Sequence, residues 1–147
     1  MAIIAAVLAV VSVLGHIATT EELLLQQKAS DQWSYYQAKS IRRYQSELAS
    51  DLFASLKNDA MTGQYKQNAE KYRSDDDEIQ KEAQGLEKES SARGHQALRF
   101  HFGEVFLEIA IVFASLAILT KRALFWYGGI GAGVAGAAIA LTALQFV

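Results

Sequence analysis

The chain has 147 residues, with 14 basic and 16 acidic side chains for a net charge of −2, and contains neither cysteine nor proline. That length bounds it to one domain of ordinary size, the near-neutral balance without a basic face argues against nucleic acid as a partner, and the missing cysteines exclude disulfides, thiolate metal sites and a cysteine nucleophile. Proline breaks helix interiors, so its absence predicts long uninterrupted helices and an all-α fold.

Apolar and charged residues are segregated. Residues 1–18 carry no charge, residues 19–100 hold most of it, and residues 105–147 hold only Glu108, Lys121 and Arg122. Such segregation describes a membrane protein with a polar insert. Residues 1–18, MAIIAAVLAVVSVLGHIA, would cover about 27 Å as helix against a hydrocarbon core of about 30 Å. A cleaved signal peptide is the rival reading, and the absence of a basic leading segment and of an A-x-A site argues against it. The stretch reads as a first transmembrane helix, either tight against a thin bilayer or continued upstream.

Thr19-Thr20-Glu21-Glu22 has the form of a capping box, where a helix would restart at the membrane surface. From Leu25, the residues Ala29, Trp33, Tyr36, Ser40, Tyr44, Leu48, Leu52 and Leu56 recur at steps of three and four, one helical face. Asn58, Asp59 and Gly63 supply turn chemistry and place a reversal near residues 58–63. The return stretch repeats Tyr65, Ala69, Tyr72, Asp76, Ile79, Ala83, Leu86 and Ser90 at strict 4-3 spacing, the seam of a coiled coil. Gly85 and Gly94 mark where this helix would bend, each costing about 1 kcal/mol relative to alanine. The outward and return stretches are of equal length, as an antiparallel rod leaving and re-entering a bilayer requires. Residues 19–100 are therefore expected to form a helical hairpin.

Residues 101–120 read as a second transmembrane helix, residues 121–123 as a basic loop, and residues 124–147 as a third transmembrane helix opened by the interfacial aromatics Phe125, Trp126 and Tyr127. In the third helix Gly129 and Gly133 stand four apart, and Ala132 and Gly136 repeat the interval. Small residues so spaced let helices approach closely in a membrane. Short basic loops stay cytoplasmic, which puts the rod on the periplasmic or extracellular side.

His101, Glu104 and Glu108 fall at i, i+3 and i+7 on one face of the second span, and His16 on the first span is expected at the same membrane surface. Ionisable residues inside a membrane are functional candidates. The bland reading leaves His101 and Glu104 among headgroups, with Glu108 setting oligomer register. The sharper one is an oligomeric proton or cation conductor with a ring of carboxylates. A metal site is disfavoured, because bundle metal sites use paired Glu-x-x-His motifs and only one reversed His-x-x-Glu is present. The acidic run Asp75 to Glu78 lacks the glycine and terminal glutamate of a calcium loop. The glycines of the third span precede no Gly-Lys-Ser/Thr, and no nucleophile motif is present. Neither enzymatic activity nor a cofactor is expected.

The words Lys28-Ala29-Ser30-Asp31-Gln32-Trp33 and Tyr35-Tyr36-Gln37-Ala38-Lys39-Ser40-Ile41, preceded by an apolar helix ending in Gly15-His16, resemble a bacterial membrane-protein family catalogued as domain of unknown function 4337. The likeness extends more loosely to the two C-terminal spans. It implies three membrane helices with a helical insert in a bacterial inner membrane and brings no assigned activity. It directs attention to Asp31, Trp33, Tyr36, Gln37 and Lys39 as a recognition surface or a cluster locking the hairpin, beside Gly129, Gly133 and Gly136 as helix-packing positions. The expectation is a non-enzymatic membrane-anchored structural or interaction protein. Its partners would be lipids and either copies of itself or the subunits of a larger membrane complex.

Overall fold

The computed structural model describes residues 1–146 and is all-helical. Helix α1 spans Ala2–Ser55, α2 spans Asp59–Thr120 and α3 spans Ala123–Ala143, followed by a short 3-10 turn at Leu144–Phe146. No strand occurs among the described residues. Val147, the last residue of the expected third span, lies outside them. Each of the three helices contains a stretch long and apolar enough to cross a membrane.

The chain divides into two compact units, one of residues 1–23 with the chain from Glu89 onward, the other Leu24–Lys88. Both boundaries fall inside unbroken helices. The expected capping box therefore caps nothing. With α1 already helical at Thr19, the Thr19 and Thr20 hydroxyls donate backwards to Gly15 O (3.0 Å) and His16 O (2.8 Å), a mid-helix use open to threonine. Likewise α2 passes through Gly85 and Gly94 as one helix.

The break between α1 and α2 falls at Leu56–Asn58, overlapping the expected residues 58–63 at Asn58, and Gly63 is inside α2. Lys57 adopts φ 57°. Its N–H bonds Ala54 O and the Asn58 N–H bonds Phe53 O, both at 3.0 Å, the paired bonds of a Schellman ending. Asn58 then starts α2 by accepting the Met61 N–H on Oδ1 at 3.2 Å, an N-cap bond. Asparagine thus closes one helix and opens the next, which leaves no room for a longer loop. A left-handed lysine carries a steric cost of about 1–2 kcal/mol that glycine escapes. Lys57→Gly is accordingly expected to stabilise the chain by about 1 kcal/mol, read as a raised denaturant midpoint with an unchanged slope.

In the second unit the return row is enclosed as its spacing requires: Ala69, Asp76, Ile79 and Ala83 are buried, and Tyr65, Tyr72 and Leu86 half-buried. The outward row departs from expectation after Ser40. Tyr44, Leu48, Leu52 and Leu56 are exposed, at 61%, 72%, 56% and 64%. The row turned inward is Ala29, Gln32, Tyr36, Lys39, Arg43, Ser46, Ser50 and Phe53, which keeps 3-4 spacing where the apolar set steps by four and drifts around the helix. Polar contacts therefore join the two arms: Lys39 to Asp75 at 2.8 Å, Arg43 to Asp76 at 3.3 Å and Arg73 to Glu47 at 3.3 Å. Phe53 and Tyr65 stack at 5.5 Å beside the reversal.

In the first unit small residues bring the helices together. A Cβ on Gly15 would lie 3.3 Å from Phe100 Cβ, and one on Gly136 only 2.8 Å from Gly103 O and 3.0 Å from Leu107 N. Around these contacts Val11, Ala18, Ala97, Phe100, Leu107, Ala140 and Ala143 form the core, with Ile4, Val7, Leu8 and Leu14 against it. The basic loop shortens to Lys121-Arg122, with Lys121 at φ 52°. Trp126 and Tyr127 at the start of α3 are exposed.

Candidate functional site

The polar groups of the first unit gather where α1 and α2 cross at Gly15 and Phe100. His101 Nδ1 lies 3.3 Å from Glu104 Oε2, one turn along α2, and Nε2 lies 3.3 Å from Thr19 Oγ1 on α1. Ser12 and His16 on α1 are both near enough to act on the Glu104 carboxylate. The Thr19 hydroxyl also reaches Gly15 O on its own helix, so it links the α1 backbone to the His101 ring. The result is a polar contact in which His101 meets Glu104 on its own helix and Thr19 on α1.

Hydroxyl, imidazole and carboxylate in that order also serve acyl transfer, where the hydroxyl hands its proton to the ring; here the Thr19 proton points to a carbonyl. Glu108, one turn further along α2, is exposed and has no hydrogen-bond or ion-pair partner among the described residues. The two carboxylates on one face thus have different surroundings, Glu104 held within the chain and Glu108 open. His16 is exposed.

The aromatic and lysine words of α1 divide by direction. Trp33, Tyr36 and Lys39 are half-buried, whereas Asp31 and Gln37 are exposed. Trp33 Nε1 donates to Glu87 Oε1 at 2.8 Å, Gln32 donates to Glu82, and the Trp33 and Tyr36 rings meet edge to face at 5.6 Å. Lys39 Nζ sits 5.5 Å from the ring centres of both Tyr35 and Tyr72. Its hydrogen bond to Asp75, then that to Tyr35, holds its pKa above the ordinary 10.5. A raised pKa favours folding fully below the unfolded value and ceases to do so as pH climbs through the folded one. The Lys39 contribution is therefore constant near neutrality and fades only above pH 10.5. Asp75→Asn is expected to flatten the alkaline arm of a stability-against-pH curve and leave its neutral shape unchanged.

Gly129 and Gly136 are buried and Gly133 half-buried, all on the side of α3 turned to α2. Around Gly133 the nearest atoms, Ala110 Cβ and Ile4 Cδ1, stand 3.6 and 3.8 Å from a built Cβ, so Gly136 makes the tighter approach.

Several contributors were not singled out by sequence reasoning: Thr19 at the His101 contact, Gly103 opposite Gly136, and the ion pair Arg43–Asp76. Asp76 carried a usable signal, because an acid on a strict seam requires a base on the opposed arm, and Arg42-Arg43 is the adjacent basic pair there.

These features define an all-helical protein with three helices long and apolar enough to cross a membrane. The family model described as a domain of unknown function (DUF4337) matches residues 1–146, and the chain belongs to that family. No curated protein and no solved structure matches it.

Proposed function

We propose that the protein is a non-enzymatic, membrane-anchored interaction protein. Its first unit is the three-helix anchor, and its second an extramembrane helical hairpin that self-associates or docks as an accessory subunit of a larger membrane complex. The observation that carries this reading is the back of α1 in the second unit. Ile41, Tyr44, Leu48, Leu52 and Leu56 form one stripe there, each more than half exposed. A soluble surface seldom leaves so many large apolar side chains contiguous without a partner, and the opposite, polar row of the same helix already serves the return arm.

The test is the native mass of the protein extracted gently from its own membranes, with co-purifying chains identified. The parent is expected to travel as an assembly, and Leu48→Glu with Leu52→Glu to remove from it the chains held by the hairpin stripe. A parent that runs as one chain in detergent would remove the basis of the proposal.

A further inference from the structure

Helix α2 carries two rows at helix-pairing spacing within its apolar stretch. One, Phe100, Gly103, Leu107 and Ala110, is buried in the first unit. The other, Val105, Glu108, Val112, Ser115 and Leu119, follows the same 3-4-3-4 steps, and every member of it is exposed. A row at that interval is what one helix presents to another. Ser115 is the small residue of the row, and a second backbone can come close there.

Glu108 is the only charged residue in the stretch 105–120. Carboxylates at membrane depth face a bundle interior or a counter-charge, and Glu108 has neither among the described residues. A second copy offers no lysine or arginine for that counter-charge, and its nearest basic group, His16, lies at the level of Glu104. Residues 1–18, 105–120 and 123–147 hold no lysine or arginine, and a copy in the same membrane would bring another Glu108 to the same level. Complementarity therefore selects a different chain.

We propose that the exposed row of α2 docks a membrane-spanning helix of a partner protein, one that carries a lysine or arginine at the depth of Glu108. The inference rests on the first unit being a membrane anchor, and it names the chemistry of the partner that the accessory-subunit reading requires. Val105 and Val112 would flank the ion pair and exclude lipid headgroups and water from it. Glu104 has no part in the contact, being engaged by His101.

The test uses the full chain in phosphatidylcholine vesicles, labelled with a donor fluorophore at Leu124→Cys, the only cysteine then present. Acceptor-labelled leucine-rich transmembrane peptides carry either one central lysine or none. The lysine peptide is expected to associate about tenfold more tightly than the all-leucine one, the scale of a single close charge pair. Glu108→Gln and Val112→Trp should each abolish that preference, and Glu104→Gln should keep it. Equal transfer from both peptides, or a preference that survives Glu108→Gln, would overturn the proposal. So would transfer between labelled copies of the chain that the lysine peptide fails to displace, which would identify a second copy as the occupant. A chain washed from the vesicles by alkaline carbonate would overturn the membrane anchor itself, and the docking proposal with it.

Discussion

Asp76→Ala is expected to destabilise the second unit by about 3–5 kcal/mol, the usual consequence of removing one member of a buried ion pair. Asp76 is 3% exposed. Its Oδ2 lies 3.3 Å from Arg43 Nε, with side-chain exposures of 4% and 17%. Neither Asp76 oxygen receives a well-directed hydrogen bond, nor does Arg43 Nε donate one. The pair is thus electrostatic and imperfectly oriented, so truncating the acid strands a guanidinium between two helices. Removing both charges should have a different outcome. Arg43→Met with Asp76→Leu is expected to leave stability unchanged or raise it by about 1–4 kcal/mol, because packed apolar groups escape the desolvation cost. Urea unfolding followed by helical circular dichroism measures both. An Asp76→Ala loss smaller than about 1 kcal/mol would mean that water reaches the pair. If the double variant is as stable as the parent, the pair serves to fix which residues face each other, as polar residues in helix seams do.

Gly136→Leu should separate α3 from α2. A Cβ there would sit 2.8 Å from Gly103 O and 3.0 Å from Leu107 N. Both are backbone atoms of a continuous helix and cannot turn aside as the end of a flexible side chain can. Overfilling a packed interior typically costs about 1–3 kcal/mol, and more where the backbone must move. The informative control is Gly131→Leu, because no atom lies within 4 Å of a Cβ built at Gly131. A disulfide between cysteines placed on α2 and α3 should form readily in the parent and in the Gly131 variant and fail in the Gly136 variant. Equal formation in all three would show that the two helices tolerate a wider separation.

The two arms of the second unit differed in how far the sequence disclosed them, and the reason is physical. Apart from Asp76, the return arm places apolar or small residues at strict 4-3 intervals from Tyr65 to Ser90, so composition and period agree. In the outward arm they conflict. The positions with the right period are Lys39, Arg43, Ser46 and Ser50, while the apolar residues Tyr44, Leu48 and Leu52 repeat every fourth position and move off the inner face. An assignment weighted towards hydrophobicity follows the wrong set. The site shows the same limits. His101, Glu104 and Glu108 are visible on one helix face from spacing alone, but which carboxylate is engaged depends on Thr19, Ser12 and His16, contributed by a helix 82 positions away at its Thr19 contact. The glycines of α3 were legible as close-packing positions. Gly103 was not, since a lone glycine acquires meaning only from what stands opposite it.

The reversal at Leu56–Asn58 also governs how the second unit can change in size. Its geometry is set by short-range bonds around Lys57 and Asn58, and the Ser50 hydroxyl donates to Thr62 O across it at 3.3 Å. Beyond it, contacts such as Phe53 with Tyr65 and Arg43 with Asp76 recur at the 3-4 interval on both sides. Seven residues added to one arm alone would set Arg43 opposite the wrong turn and strand both charges. Seven added to each arm between the reversal and the ion layer would leave every pair in place. Indel variation in this unit should therefore occur as matched heptads, one inserted on each side of a fixed corner.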